Sequence, residues 1–373
     1  MQRNTAASLA AVRGRLRLPH EYNEREAFML IVRPVRIPDL PLIETMAVES
    51  GIGVTSLPNN REKLYEKIQT SLGAFEHEAI AGTGREYYMF VLEDEGRVIG
   101  TASISASAGF EEPFYSYRSE TMVHASRALK VNNRIHVLTM CHDLTGMVQL
   151  CGFFCSPQYQ LRAYELLSRA RLLYMAAARE RFGRRILVEM QGMLDENDQS
   201  PFWDAIGRRF FNMDFPQVEQ AFAQRSKTFI AELMPTYPIY VPLLPDAAQN
   251  AIGQIHPDFE RPFSILSREG FEADDYIDIF DGGAVLTAEV DQLFSLRQQG
   301  LYQVEVAPVL PAGAQEMLLS NHRSGQFAAT QAHASLVDDV MFITQETARA
   351  LSVSSGQRIC TAPLLPEAGR AQA

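Results

Sequence analysis

Apolar residues crowd together at Leu150-Cys151-Gly152-Phe153-Phe154-Cys155, and a second such run, Ile186-Leu187-Val188, follows further along the chain. Between them Leu161, Tyr164, Leu167, Ala170, Leu173, Tyr174 and Ala177 recur at helical spacing, while Glu165, Arg169, Arg171, Arg179 and Arg181 fall mostly elsewhere. That spacing predicts a helix buried along one stripe. Ser156-Pro157 ends the first run, because proline lacks the N–H a central strand needs. Gly183 ends the helix. A strand, helix, strand order implies two neighbouring strands running roughly parallel.

The rest of the chain has a readable rhythm. Leu30 to Pro34 is a predicted strand, and Asp39 is placed to cap a helix through Leu40, Ile43, Met46 and Ala47. Gly51 and Gly53 end it, Thr55-Ser56-Leu57-Pro58 turns, and Asn60 to Phe75 is helical. Tyr87 to Leu92 and Val98 to Ser107 form a hairpin. The segment from Gly109 to Thr145 is dense in aromatic and hydrogen-bonding side chains; it reads equally as a pocket lining or as a strand pair with an exposed polar face. Later elements are a helix capped by Ser200 with Pro201 at its first position, an extended Phe211–Phe215, and a strand Thr228–Leu233. Helices over Asp246–Ile255 and Arg261–Glu269 follow, then a strand Tyr276–Phe280 before the turn Asp281-Gly282-Gly283. From Tyr302 to Leu365 the pattern is short strands with one helix, Thr344 to Leu351.

Composition narrows the possibilities. The 373 residues are 46% hydrophobic and 21% charged, enough for a sizeable core. The net charge of −11 argues against nucleic acid or an anionic membrane as the main partner. No apolar run approaches the length of a membrane span. Cys141, Cys151, Cys155 and Cys360 show neither metal-ligand nor disulfide spacing, which fits a reducing cytoplasm and no metal. Residues 1–28, with Arg3, Arg13, Arg15 and Arg17 among alanines, read as a disordered extension.

The strand, helix, strand unit resembles the centre of the GNAT-like acyl-CoA transferase fold. That resemblance implies an α+β fold, a central mixed sheet flanked by helices, over 29–298, with a small C-terminal β-rich module and tail over 299–373. It also implies a CoA ester whose tail pairs with the strand at Phe153, Phe154 and Cys155, and whose pyrophosphate meets the helix start at Gln160 and Arg162. GNAT enzymes carry glycine where this chain has Ala163 and glycine or alanine where it has Glu165, and a carboxylate there would repel a pyrophosphate.

Longer phrases are more specific: Val123-His124-Ala125-Ser126-Arg127, Cys141-His142-Asp143-Leu144-Thr145-Gly146, Ser200-Pro201-Phe202-Trp203, Ile252-Gly253-Gln254-Ile255-His256-Pro257, and Tyr276-Ile277-Asp278-Ile279-Phe280-Asp281-Gly282-Gly283. Together they resemble the arginine N-succinyltransferase family, and Ala108–Ser116 and Tyr237–Ala248 look like its α-type chain. The resemblance implies succinyl transfer from succinyl-CoA, a co-substrate and not a resident cofactor, to the α-amino group of L-arginine, with L-ornithine as the competing acceptor. It further implies a homo-oligomer or a hetero-oligomer with a related β-type chain. The alternative is a non-catalytic structural or regulatory subunit of such a heteromer, expected to need the β-type partner for activity. Where family members carry a proton-donating histidine, this chain has Tyr237, and Phe153 stands at a succinyl-CoA contact.

The chemistry then demands an acid, a base and two charge partners. Tyr237 is an acceptable acid toward a thiolate, and His256 is the candidate base, although each also reads as a packing or turn residue. Arg118, Arg127 and Arg134 are candidates for the succinyl carboxylate. Glu189, Asp278 and Asp281 are candidates for the substrate guanidinium.

Overall fold

The computed structural model describes residues 29–51, 57–77, 81–159, 161–224 and 228–365. The expectations for 1–28, for Gly53 and Thr55-Ser56, and for Gln160 lie outside them.

The chain runs β1 (Ile31–Pro34), α1 (Leu40–Glu49), α2 (Arg61–Glu76), β2 (Tyr87–Asp94), β3 (Arg97–Ser105), β4 (Ser116–Ser126), β5 (Val131–Cys141) and β6 (Val148–Cys155). Next come α3 (Leu161–Ala177), β7 (Arg185–Glu189), α4 (Pro201–Ala205), α5 (Arg208–Phe211), α6 (Phe215–Gln224), α7 (Thr228–Leu233), β8 (Ile239–Tyr240), α8 (Asp246–Ala251) and α9 (Glu260–Glu269). The last part is β9 (Glu272–Ile277), β10 (Ala284–Glu289), α10 (Phe294–Arg297), β11 (Gly300–Val306), β12 (Gln315–Ser320), β13 (Ala329–Val337), β14 (Val340–Ile343), α11 (Gln345–Leu351) and β15 (Arg358–Pro363).

One sheet carries the fold, in the order β1-β2-β3-β6-β7-β10-β9-β4-β5-β8. Both of its faces are covered, so β2 is apolar at successive positions. Tyr88, Phe90 and Leu92 pack on the α3 side, while Tyr87, Met89 and Val91 pack against α1 and the first turns of α2. A further core under α4, α7 and α8 holds Phe202, Trp203, Ile230 and Ala248 against Tyr117 and Leu138. At the other end, β11 to β15 close into a ring, β12-β15-β11-β14-β13-β12, and β13 also pairs with β1. The C-terminal strands are thereby stitched to the main sheet.

Two expectations change, and one open alternative is decided. Thr228–Leu233 is helical: Met234 N–H donates to the Ile230 carbonyl at 2.8 Å, the four-residue bond of a helix turn, and both side chains reach the core. Gly109–Thr145 is largely the hairpin β4–β5, whose base joins the sheet and whose tip is exposed. The second change concerns α3, which is buried on every side rather than along a stripe. From Glu165 to Met175 each of its residues is covered, Arg169 and Arg171 included. The sheet lies on one side of α3, and α9, α10 and strands β12, β13 and β15 close the others.

Candidate active site

The parallel pair β6–β7 is short. Val148 faces Ile186 and Gln149 faces Leu187, and beyond that point the strands part, β6 staying with β3 and β7 with β10. A bulge in β6 widens the opening: Thr101 pairs with Phe154 and Ser103 with Cys151, so Gly152 and Phe153 together oppose Ala102. Gly152 sits at φ +57°, where a side chain is strained, and a Cβ there would come within 3.0 Å of Ser103 Oγ.

The opening is a cavity of about 620 Å³, a usual size for a ligand site. Lys63, Lys67 and Thr70 of α2 line one side, and Ser168 and Arg171 of α3 with Leu266 of α9 line the other. The gap therefore runs from one face of the sheet toward the other. Its lining carries charges of both signs. Lys63, Lys67, Arg85 and Arg171 supply cations; Glu66 on α2 and Glu189, Glu219, Asp278 and Asp281 at the ends of β7 and β9 and nearby supply carboxylates.

The acidic end is tightly built. Asp278 Oδ1 accepts the N–H groups of Phe280 (2.6 Å) and Asp281 (3.0 Å), folding the Asp281-Gly282-Gly283 turn. Asp281 in turn accepts from Gly192 N–H (2.7 Å) and Gly283 N–H (2.8 Å). Gly192 must be glycine, because a Cβ would lie 2.6 Å from the Asp281 carbonyl. Burial, and then the charge of Asp278, push the Asp281 carboxyl up to about 8. Glu189 accepts from Gln149 Nε2 at 2.9 Å, across the point where the strands separate.

Among the cations, Arg171 is 2% exposed. Its guanidinium lies 5.5 Å from the Phe153 ring, and burial lowers its pKa to about 10. Lys67 Nζ lies 4.5 Å from the centre of the Tyr87 ring. Burial also pushes the Cys151 thiol and the Tyr87 hydroxyl up, so neither is a ready nucleophile.

The structure gathers Phe153, Glu189, Asp278 and Asp281 around this cavity. It places the other candidates elsewhere. Phe154 packs on the α1 side of the sheet. Cys155 is buried in the α3 core, its thiol pushed up to about 12 by desolvation. Arg162 reaches away, to the Gln331 carbonyl and, at 3.2 Å, to Glu316 of the C-terminal ring. Arg118 is paired with Glu120 and Asp143, and Arg127 and Arg134 are exposed on the β4–β5 hairpin. Tyr237 is 83% exposed and does not line the cavity. His256 touches the site only through its backbone, its N–H donating to the Gln191 carbonyl at 2.8 Å; its ring accepts from Asp258 N–H. Arg171 and Lys67 were not among the sequence candidates.

No group of three or more His, Cys, Asp or Glu among the described residues could hold a metal ion. Likewise, none of the described helices is long and apolar enough to cross a membrane.

Comparison with known proteins places the chain. Residues 30–295 match the family model described as the arginine N-succinyltransferase beta subunit, and 302–363 match that family's C-terminal domain. The arginine N-succinyltransferase subunit alpha of Pseudomonas aeruginosa is 45% identical over 335 residues, covering 89% of this chain and 98% of the relative. An arginine N-succinyltransferase of Escherichia coli is 37% identical over 336 residues, covering 89% and 96%. The solved structure of arginine/ornithine succinyltransferase subunit AI from Pseudomonas aeruginosa superposes with a TM-score of 0.83 at 42% identity, over 90% of this chain and 99% of that one. The chain belongs to the arginine N-succinyltransferase family.

Proposed function

We propose that the chain transfers the succinyl group of succinyl-CoA to the α-amino group of L-arginine, in arginine catabolism. The observation that carries this reading is the gap between β6 and β7, lined by both cations and carboxylates. It suits a reaction that joins a carboxylate-bearing acyl group to a guanidinium-bearing amine. The GNAT-like reading is supported by the same feature, one parallel pair that parts at a bulge.

In the reaction the α-ammonium loses a proton, the amine attacks the thioester carbonyl, and the tetrahedral oxyanion collapses to expel the CoA thiolate, which takes up the second proton shed by the attacking nitrogen. Main-chain N–H groups at the Phe153 bulge are the donors we assign to the oxyanion. Glu189 and Asp278 hold the guanidinium. Asp281, near 8, is suited to accept the ammonium proton once the cationic substrate has drawn it into its ionised form. L-Ornithine is a second acceptor on this reading, since its side-chain ammonium meets the same carboxylates; the relative of known structure carries ornithine in its name.

The chain is further proposed to work in the cytoplasm, as a homo-oligomer or with a related β-type chain. Its four cysteines are free, and the β4–β5 hairpin exposes Val123 and Leu129. The test is CoA release on mixing the purified chain with succinyl-CoA and L-arginine, with the succinylated product identified by mass. Absence of that product with either amino acid as acceptor, from the chain alone and from the chain mixed with a related β-type chain, would sink the reading.

A further inference from the structure

Arg171 stands out among the arginines of the molecule. Arg33, Arg118, Arg162 and Arg169 are each within 4 Å of a carboxylate. Arg171 is buried, yet makes no ion pair among the described residues. Its hydrogen bonds all go to neutral acceptors: the Ser168 carbonyl from Nε (3.1 Å), Ser168 Oγ from Nη2 (3.2 Å) and the Ser103 carbonyl from Nη1 (3.4 Å). A guanidinium carries five N–H donors, so one on each terminal nitrogen is left over. Two such N–H groups form the fork that grips a carboxylate in bidentate fashion.

Its position is equally specific. The guanidinium borders the cavity and lies against the Phe153 ring, at the bulge where the strands part. Beside the same bulge the hydroxyls of Tyr87 and Ser103 are buried without closing a hydrogen bond of normal geometry. A buried cation with no counter-ion is costly to keep, because removing it from water is repaid only by a partner. The partner is therefore an anion that arrives from outside the chain.

Resting on the acyl-transfer reading above, we propose that Arg171 receives the terminal carboxylate of the succinyl group and thereby selects a dicarboxylic acyl donor. With the thioester carbonyl at the Phe153 bulge, the two methylenes of succinyl carry its carboxylate inward to the α3 side of the gap. The acidic residues at the ends of β7 and β9 are then left for the guanidinium. A neutral acyl group of the same length leaves Arg171 unsatisfied, so the site rejects it.

The test compares succinyl-CoA with butyryl-CoA, its uncharged four-carbon counterpart, by calorimetry on the full chain. The wild type is expected to bind succinyl-CoA more tightly, by on the order of 100-fold. Arg171→Gln is expected to abolish that preference while leaving butyryl-CoA binding within a few-fold. Butyryl-CoA binding also reports that the variant is folded; should it fail to fold, Arg171→Lys, which keeps the charge but loses the fork, is expected to lose part of the preference. Equal weakening of both esters in Arg171→Gln, or an unchanged preference in Arg171→Lys, overturns the proposal and leaves acyl transfer standing. Absence of binding of either ester to the wild type defeats both. L-Arginine and L-argininamide are compared as acceptors in parallel. If Arg171→Gln changes that ratio instead, the carboxylate it holds belongs to the acceptor, and the proposal fails.

Discussion

Glu165 and Arg169 meet one turn apart on α3, Oε1 to Nη1 at 2.7 Å, and the Arg169 side chain is wholly buried. Glu165 also accepts the Leu365 N–H at 3.1 Å. Arg169 binds Glu269 of α9, Ser295 of α10 and the Pro363 carbonyl, so one guanidinium ties three helices to the last strand. Glu165 is therefore no obstacle at the helix start. It is turned inward and charge-paired, which removes the argument that its presence drives a pyrophosphate away.

The pair predicts an asymmetry in stability. Arg169→Leu leaves two carboxylates buried together and should cost about 3–5 kcal/mol. Glu165→Ala leaves Arg169 with Glu269 and should cost less, about 1–3 kcal/mol. Urea unfolding of the two variants decides this; equal midpoints would remove Arg169 from the centre of the network.

Arg162 is bound to the C-terminal ring through the Gln331 carbonyl and Glu316. Both side chains of its ion pair are about a third exposed, so Arg162→Ala should cost within about 1 kcal/mol. Affinity for succinyl-CoA should stay within about twofold. A tenfold loss in calorimetry would return Arg162 to the cofactor site.

Glu189→Gln keeps the shape at the end of β7 and removes its charge. The KM for L-arginine should rise about 10-fold with kcat little changed, since a charge-assisted hydrogen bond is lost from binding. A fall in kcat at constant KM would give Glu189 a role in proton transfer instead.

Asp281 gives the site a pH dependence whose sign is fixed by its raised pKa. Below about 8 the carboxyl is protonated and attracts a cation weakly; above it the carboxylate is ionised and attracts one strongly. Methylguanidine, which has no amine to titrate in this range, should bind more tightly as pH rises from 6 to 9. A flat profile would show that Asp281 is already ionised at neutral pH.

Tyr237 stands 83% exposed outside the cavity. Tyr237→Phe should leave turnover unchanged within about twofold in a steady-state assay, as surface substitutions away from a site generally do. A loss of two orders of magnitude in kcat would bring Tyr237 back as the acid.

Much was legible before any coordinates. The apolar runs flanking a helical period gave the strand, helix, strand unit, because strand and helix periods are local properties of the chain. The phrases around Asp278 and Asp281 marked the acidic end of the site, and Phe153 marked its wall. Thr228–Leu233 misread as a strand because β-branched and aromatic residues suit either state over a short span.

By itself, then, the sequence determined the order of the central elements, the family, and the carboxylates that the substrate's charge requires. Tertiary structure alone decided which cations face the gap. Arg171 and Arg169 sit two residues apart on one helix, yet the first looks into a cavity and the second into a closed ion network. What separates them is the packing of α9, α10 and the C-terminal strands, which return to α3 from far along the chain. A period of 3.6 residues can say that a helix buries a face, but the partner on each face is set by contacts distant in sequence.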